Sequence, residues 1–180
     1  MEHNREKAEN TTDTRPEPRK ILSAAGKRAS FVGAGIVVFI VVLDCLTKHF
    51  IRTHMHLGEA IPSEDAFFSI RYALNDGVAF SMFQGHTSVL IAIQSILVLV
   101  VLAVMILFLR RMFSAGTLCA FALMLGGGIG NLSDRILFGK VTDFISVGSF
   151  PIFNVADSAL TVGCGLLLLC VLISERKKGA

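Results

Sequence analysis

The stretch FVGAGIVVFIVVLDCLTKHF, Phe31 to Phe50, decides the fold. It is apolar from Phe31 to Leu43, and only then admits Asp44 and, four residues on, Lys48. A membrane-spanning helix needs about 20 mostly apolar residues rising about 1.5 Å each, and this stretch meets that length. Three more stretches do so: about 89–109, 115–132 and 156–173. The reading is an all-α membrane protein of four transmembrane helices, about 31–50, 89–109, 115–132 and 156–173, forming a single domain over 29–174.

Composition agrees. Of 180 residues, 53% are hydrophobic and 17% charged, a balance that does not suit a soluble domain. A net charge of +3, with the basic residues at the ends of apolar runs, offers no basic stripe for nucleic acid. Cys45, Cys119, Cys164 and Cys170 all fall inside apolar segments without C-x-x-C spacing, so they read as packing residues rather than as disulfides or metal ligands. Residues 1–28, polar and holding Pro16 and Pro18, read as a disordered extension. The apolar run that follows is too long for a cleaved signal peptide and should remain as an anchor.

Basic clusters orient the helices, because short cytoplasmic segments are rich in Lys and Arg. Arg19, Lys20, Lys27 and Arg28 precede the first helix, Arg110 and Arg111 join the second to the third, and Arg176, Lys177 and Lys178 follow the fourth. Both termini, including the tail 175–180, are therefore expected in the cytoplasm. Two loops, about 51–86 and 133–155, are expected on the outer side.

The first outer loop carries its own structure. In FFSIRYALN, Phe67 to Asn75, the residues Phe68, Ile70, Tyr72 and Leu74 alternate with Phe67, Ser69, Arg71 and Ala73, the period of a half-buried strand. Asn75-Asp76-Gly77 is a turn signal, followed by a second short apolar run to Phe83. A small sheet on the outer membrane surface is expected. In the third helix, GGGIG at 126–130 has the G-x-x-x-G spacing that lets helix backbones approach closely.

The polar residues gather at the outer ends. Asp44 and Lys48 share one helix face, either as an ion pair marking the helix end or as partners of groups on other helices. Asn131, Asp134 and Arg135 also share a face, either solvated or joined in a bonded network. Asn154 precedes Asp157 by three residues, which suits an N-cap and places Asp157 in the first turn, where it could be a capping carboxylate only. Asp143 and Asp157, brought together at the outer boundary, could share a proton, activate water and protonate a leaving amine. The competing catalytic readings are weaker: His54 and His56 lack a third metal ligand, and Ser133 and Ser158 have no suitably placed histidine. A Ser–Lys pair using Lys48 would leave both aspartates unexplained.

DCLTK at 44–48, NDGVAFSMF at 75–83, GGGIGNLSDR at 126–135, GKVTDFI at 139–145 and FNVADSAL at 153–160 resemble, in order, the motifs of the bacterial lipoprotein signal peptidases, the signal peptidase II family. The resemblance covers roughly residues 30–173. It implies an inner-membrane aspartic endopeptidase that removes signal peptides from diacylglyceryl-modified prolipoproteins before the lipidated cysteine, with membrane lipids around it and no metal or cofactor. It implies Asp143 and Asp157 as the catalytic dyad near the periplasmic face. Asp44, Lys48, Asn75, Gly77, Asn131, Asp134, Arg135, Asn154 and Ala156 match positions that support the site or contact substrate. The outer-loop sheet corresponds to the family's extracytoplasmic cradle. The interval from Asp143 to Asp157, 14 positions, is shorter than in many members and holds the segment expected to move over substrate. The alternative from another class is a small proton- or ion-coupled transporter, which would need a polar lining through the membrane centre. Only Gln94 and Ser95 interrupt the middle of the second helix.

Overall fold

The computed structural model describes residues 24–77, 86–109 and 114–179. The element order is α1 (Ala24–His54), β1 (Ala60–Ile61), β2 (Phe68–Asn75), α2 (Thr87–Leu109), α3 (Ala115–Phe138), β3 (Val141–Val147) and α4 (Val155–Gly179). All four helices are long and apolar enough to cross a membrane. Most of the N-terminal extension, the apolar run after Gly77 and the Arg110–Arg111 pair lie outside the described residues.

The helix α3 is the centre of the bundle, packing against α4, α1 and α2. It buries half of its apolar window inside the protein, against 11 to 17% for the other helices, which turn large side chains such as Phe39, Leu99 and Leu168 outward. Small residues make this possible. A Cβ at Gly127 would strike the backbone carbonyl of Ala156, and one at Gly130 would lie 2.6 Å from Asp44 Oδ2. The glycines thus bring the α4 backbone and the Asp44 carboxylate of α1 close against α3, as small residues do at membrane helix interfaces. Because the obstacle at Gly127 is backbone, Gly127→Ala is expected to destabilise the bundle by about 3 kcal/mol, the upper end for overpacking. Thermal unfolding in detergent checks this, and an unchanged midpoint would mean that α4 can shift freely.

Every helix runs further than its apolar stretch. Instead of ending near Leu132, α3 continues to Phe138, because Asp134 and Arg135 find partners inside the protein and need no exit to water. It stops at Gly139, whose φ of 73° closes the last turn through a hydrogen bond from its N–H to the Arg135 carbonyl at 3.0 Å. At its start the Ser114 hydroxyl accepts from the Thr117 N–H. Similarly, α1 extends from Ala24 to His54 rather than from Phe31 to Phe50, and α4 reaches Gly179, so most of the segment 175–180 is helical. The second outer loop is correspondingly shorter than 133–155.

The sheet has three antiparallel strands in the order β1-β2-β3, and its third strand comes from the second outer loop, not the first. Between the pairs Ile70–Ile145 and Ala73–Asp143, β2 advances three residues and β3 two, so β2 carries a bulge. The bulge breaks the alternation, and the buried residue of β2 is Ser69, while Phe68 and Leu74 are exposed. The expected burial of one apolar side of this strand is thereby corrected: among the described residues Ile70 and Tyr72 are only part-buried, and Phe68 and Leu74 stay exposed. The segment after Asp143, expected to move over substrate, is strand to Val147, and Phe153 then returns to bond Ile145.

Candidate active site

The site lies where the C-terminal ends of α1 and α3, the N-terminal end of α4 and the sheet meet. From α1, residues spaced by four supply Asp44, Lys48 and Arg52 to one face. Asp44 and Lys48 are completely buried, with Lys48 Nζ 2.7 Å from Asp44 Oδ2. The other Asp44 oxygen accepts the Ala156 N–H at 2.9 Å, one of the donors that the first turn of α4 leaves free. Lys48 Nζ also donates to Asn131 Oδ1 at 2.9 Å and stands 3.6 Å from Asp134. An ammonium has three protons, and each here has an oxygen to face. The pair is thus the hub of a buried network rather than a marker of the helix end.

Asn131 and Asn154 carry that network to the two aspartates. The Asn131 carbonyl oxygen accepts from Lys48 and from Asn154 Nδ2, so its amide is left to donate to Asp157 Oδ1 at 2.7 Å. The Asn154 Oδ1 accepts the Asp157 N–H at 2.9 Å, so its own amide turns the other way, to Asp143 Oδ1 at 2.7 Å. The Asn154 N–H in turn donates to Asp157 Oδ2, completing a reciprocal cap on α4. The side-chain orientation of both asparagines follows from their neighbours. Asp143 and Asp157 are joined through Asn154 and Asn131, and Asp157 is the half-buried member of the two. Its capping role is present, but it is not its only bond.

On β3, Asp143 stands opposite Ala73, whose small side chain leaves it room. Two residues along β2 on the same face, Asn75 donates to Asp143 Oδ2 at 3.0 Å. The Asn75 oxygen accepts the Gly77 N–H, an Asx turn that realises the Asn-Asp-Gly signal. Burial, and then the neighbouring Asp157, push the Asp143 carboxyl up to about 6 against the hydrogen bonds from Asn75 and Asn154 and the charge of Lys48. The result is a carboxyl that holds a proton well above the usual carboxylate range.

Asp134 and Arg135 are buried, which excludes a solvated helix end. Asp134 Oδ2 accepts the Thr142 N–H at 2.9 Å, while Arg135 donates to the Gly77 carbonyl at 2.8 Å and to Gln94 Oε1 at 2.7 Å. All of the sequence-predicted residues therefore fall into one connected cluster. Two that the motifs omit join it. Gln94 links Arg135 to the Gly128 carbonyl, and Arg52 bonds both Asp134 and Thr142. The spacing of Arg52, four residues beyond Lys48 on the same face, was a usable signal.

The rival candidates are occupied elsewhere. The Ser133 and Ser158 hydroxyls donate to carbonyls one turn back in their own helices. His54 stacks on Phe50, and the His56 N–H bonds Glu59.

Comparison with known proteins gives a consistent set of relatives. The profile of the family described as Signal peptidase (SPase) II matches residues 36–173. A lipoprotein signal peptidase of Dehalococcoides mccartyi is 43% identical over 154 residues, covering 81% of this chain and 94% of the relative. One from Shouchella clausii is 41% identical over 146 residues, covering 79% and 94%. A solved bacterial membrane enzyme superposes with a TM-score of 0.71 at 31% identity, over 82% of this chain and 91% of the other.

Proposed function

The chain belongs to the signal peptidase II family, a multi-pass membrane protein that processes prolipoprotein signal peptides, and we propose that it does so as an aspartic endopeptidase with Asp143 and Asp157 as its dyad. The observation that carries this reading is the bonded path Asp143–Asn154–Asn131–Asp157, with Asp143 raised to about 6. Two carboxyls thus stand in one bonded site, and burial together with the neighbouring Asp157 favours a proton on Asp143. The ionised carboxyl takes a proton from water as the water oxygen attacks the scissile carbonyl. The neutral carboxyl donates to the carbonyl oxygen, and collapse of the tetrahedral intermediate delivers a proton to the departing amine, the nitrogen of the lipidated cysteine.

The supporting residues divide the remaining work. Lys48, Asp44, Asn131 and Asn154 hold the dyad, while Asn75, Gly77 and Arg135 tie it to the β2 turn; Ala156 keeps the start of α4 against α1. Both termini are assigned to the cytoplasm and the site to the outer boundary, following the basic clusters. A site at that level can meet a substrate whose acyl chains stay in the bilayer. Moving those chains into water would cost about 0.8 kcal/mol per CH₂. The family membership leaves the transporter alternative without support.

The proton on Asp143 has a pH signature. Asp143 is neutral below about 6 and ionised above it, so the acid form that the reaction uses is depleted as pH rises through that value, and kcat is expected to fall on the alkaline side. Asn75 stabilises the ionised form; Asn75→Ala should therefore move that limb to higher pH. Cleavage rates of a lipidated prolipoprotein between pH 5 and pH 9, taken as a range about these values, check it. An alkaline limb that ignores Asn75→Ala would remove Asp143 as the titrating group.

A further inference from the structure

The side chain of Arg52 leaves the end of α1 on the face that carries Asp44 and Lys48, yet it bonds neither. Its Nη1 donates to Asp134 Oδ1 at 3.1 Å and to Thr142 Oγ1 at 2.9 Å. Its guanidinium carbon lies 4.3 Å above the Phe138 ring, a cation–π shelf that holds the plane in place. The second Asp134 oxygen accepts the N–H of the same Thr142 at 2.9 Å. Arg52, Asp134 and Thr142 thus close a ring that grips one residue of β3 by both its hydroxyl and its backbone.

We propose that Arg52 is a positioning residue for Asp143, acting through the clamp on Thr142; the proposal rests on the reading of Asp143 as a dyad member. Thr142 and Asp143 are peptide neighbours on β3, so the strand's alternation sends Asp143 to the face opposite the clamp, toward Asn75 and Asn154. The ladder on the other side is weakest at this point, because the β2 bulge interrupts its register between the partners of Asp143 and Ile145. Among the described residues, the side-chain hydrogen bonds that tie β3 to α1 and α3 therefore run through residue 142. A displacement of about 1 Å in a reacting group costs about 100-fold in rate, so a loosened clamp is read in turnover rather than in substrate binding. Folding does not depend on Arg52 in the same way, since Asp134 keeps Lys48 at 3.6 Å and Arg52 itself is partly exposed.

The test uses the purified full chain in lipid nanodiscs and a diacylglyceryl-modified prolipoprotein, with kcat, KM and unfolding temperature measured together. Arg52→Met keeps the stem over Phe138 and removes the donors. It is expected to lower kcat by about 10- to 100-fold, within the range for a misplaced reacting group, with KM and the unfolding temperature close to the parent's. Arg52→Lys should regain most of the loss, since one ammonium can face both oxygens that Nη1 now serves. Thr142→Val, a one-group change that carries the test if Arg52→Met fails to fold, should also lower kcat. Combined with Arg52→Met it should cost no more than the worse single change, because both open one clamp. An Arg52→Met protein with parental kcat, a loss confined to KM, or losses that multiply in the double variant would overturn the proposal. Asp143→Asn, run alongside, separates the two levels: if it retained activity, the dyad reading itself would fail.

Discussion

Asp157→Asn and Asp143→Asn are each expected to lower cleavage of a lipidated prolipoprotein by about 10²- to 10⁴-fold, the range for losing a general acid or base, while the protein still folds. The fold should survive because an asparagine at 157 keeps an oxygen for the Asn131 amide and one at 143 keeps an oxygen for Asn154 or Asn75. What disappears is one carboxyl of the proposed dyad. An amide neither accepts the proton of attacking water nor donates one as an acid of suitable strength. At 143 the change also removes the charge that burial and Asp157 oppose, so Asp143→Asn should be at least as stable as the parent. Full activity in either folded variant would refute the dyad.

The second large effect is on stability. Lys48→Met removes the only cation bonded to Asp44 among the described residues and leaves that carboxylate fully buried, with Asp134 losing one of its two cations. Breaking a buried pair by removing one partner costs about 3–5 kcal/mol, because the remaining charge is unpaired in a low dielectric. The damage extends to the site, since Asn131 loses the donor that helps hold its carbonyl away from Asp157. A sharp drop in folded yield and in unfolding temperature in detergent is expected. Adding Asp44→Asn should recover much of it, as the amide oxygen can still accept the Ala156 N–H and carries no charge. Were Lys48→Met as stable as the parent, the buried network would not be a structural hub. Lys48, enclosed and fully bonded, is also poorly placed to serve as the base of a Ser–Lys pair.

Much of this architecture is legible in the chain because the relevant physics is local. Spanning length, basic flanks and i, i+4 pairs all act within a few turns, so the four helices, the Asp44–Lys48 pair and the Asn154 cap could be read directly. The glycine run announced close packing, and the structure supplies its partners at Ala156 and Asp44. Other features escaped because they depend on contacts far apart in the chain. For the polar triad Asn131, Asp134 and Arg135 the sequence left a solvated helix end and a bonded network equally open. The triad lies inside α3 because Lys48, Arg52, Thr142, Gly77 and Gln94, none closer than eight residues along the chain to its bonded partner, satisfy it. The third strand was hidden for a similar reason: Val141–Val147 is strand by virtue of pairing with β2, across the intervening helices. Arg52 and Gln94 carry no motif, and only the fold reveals what they bond.

The proposed enzyme cuts a lipidated substrate with two carboxyls at the outer membrane boundary. The most direct measurement incubates the purified chain in lipid nanodiscs with one prolipoprotein in two forms, diacylglyceryl-modified and unmodified, and reads the products by intact mass. The parent protein should release the signal peptide from the modified form only, leaving the lipidated cysteine as the new N-terminus, and Asp157→Asn should release none. Equal cleavage of the unmodified form, or continued cleavage by a folded Asp157→Asn protein, would contradict this proposal.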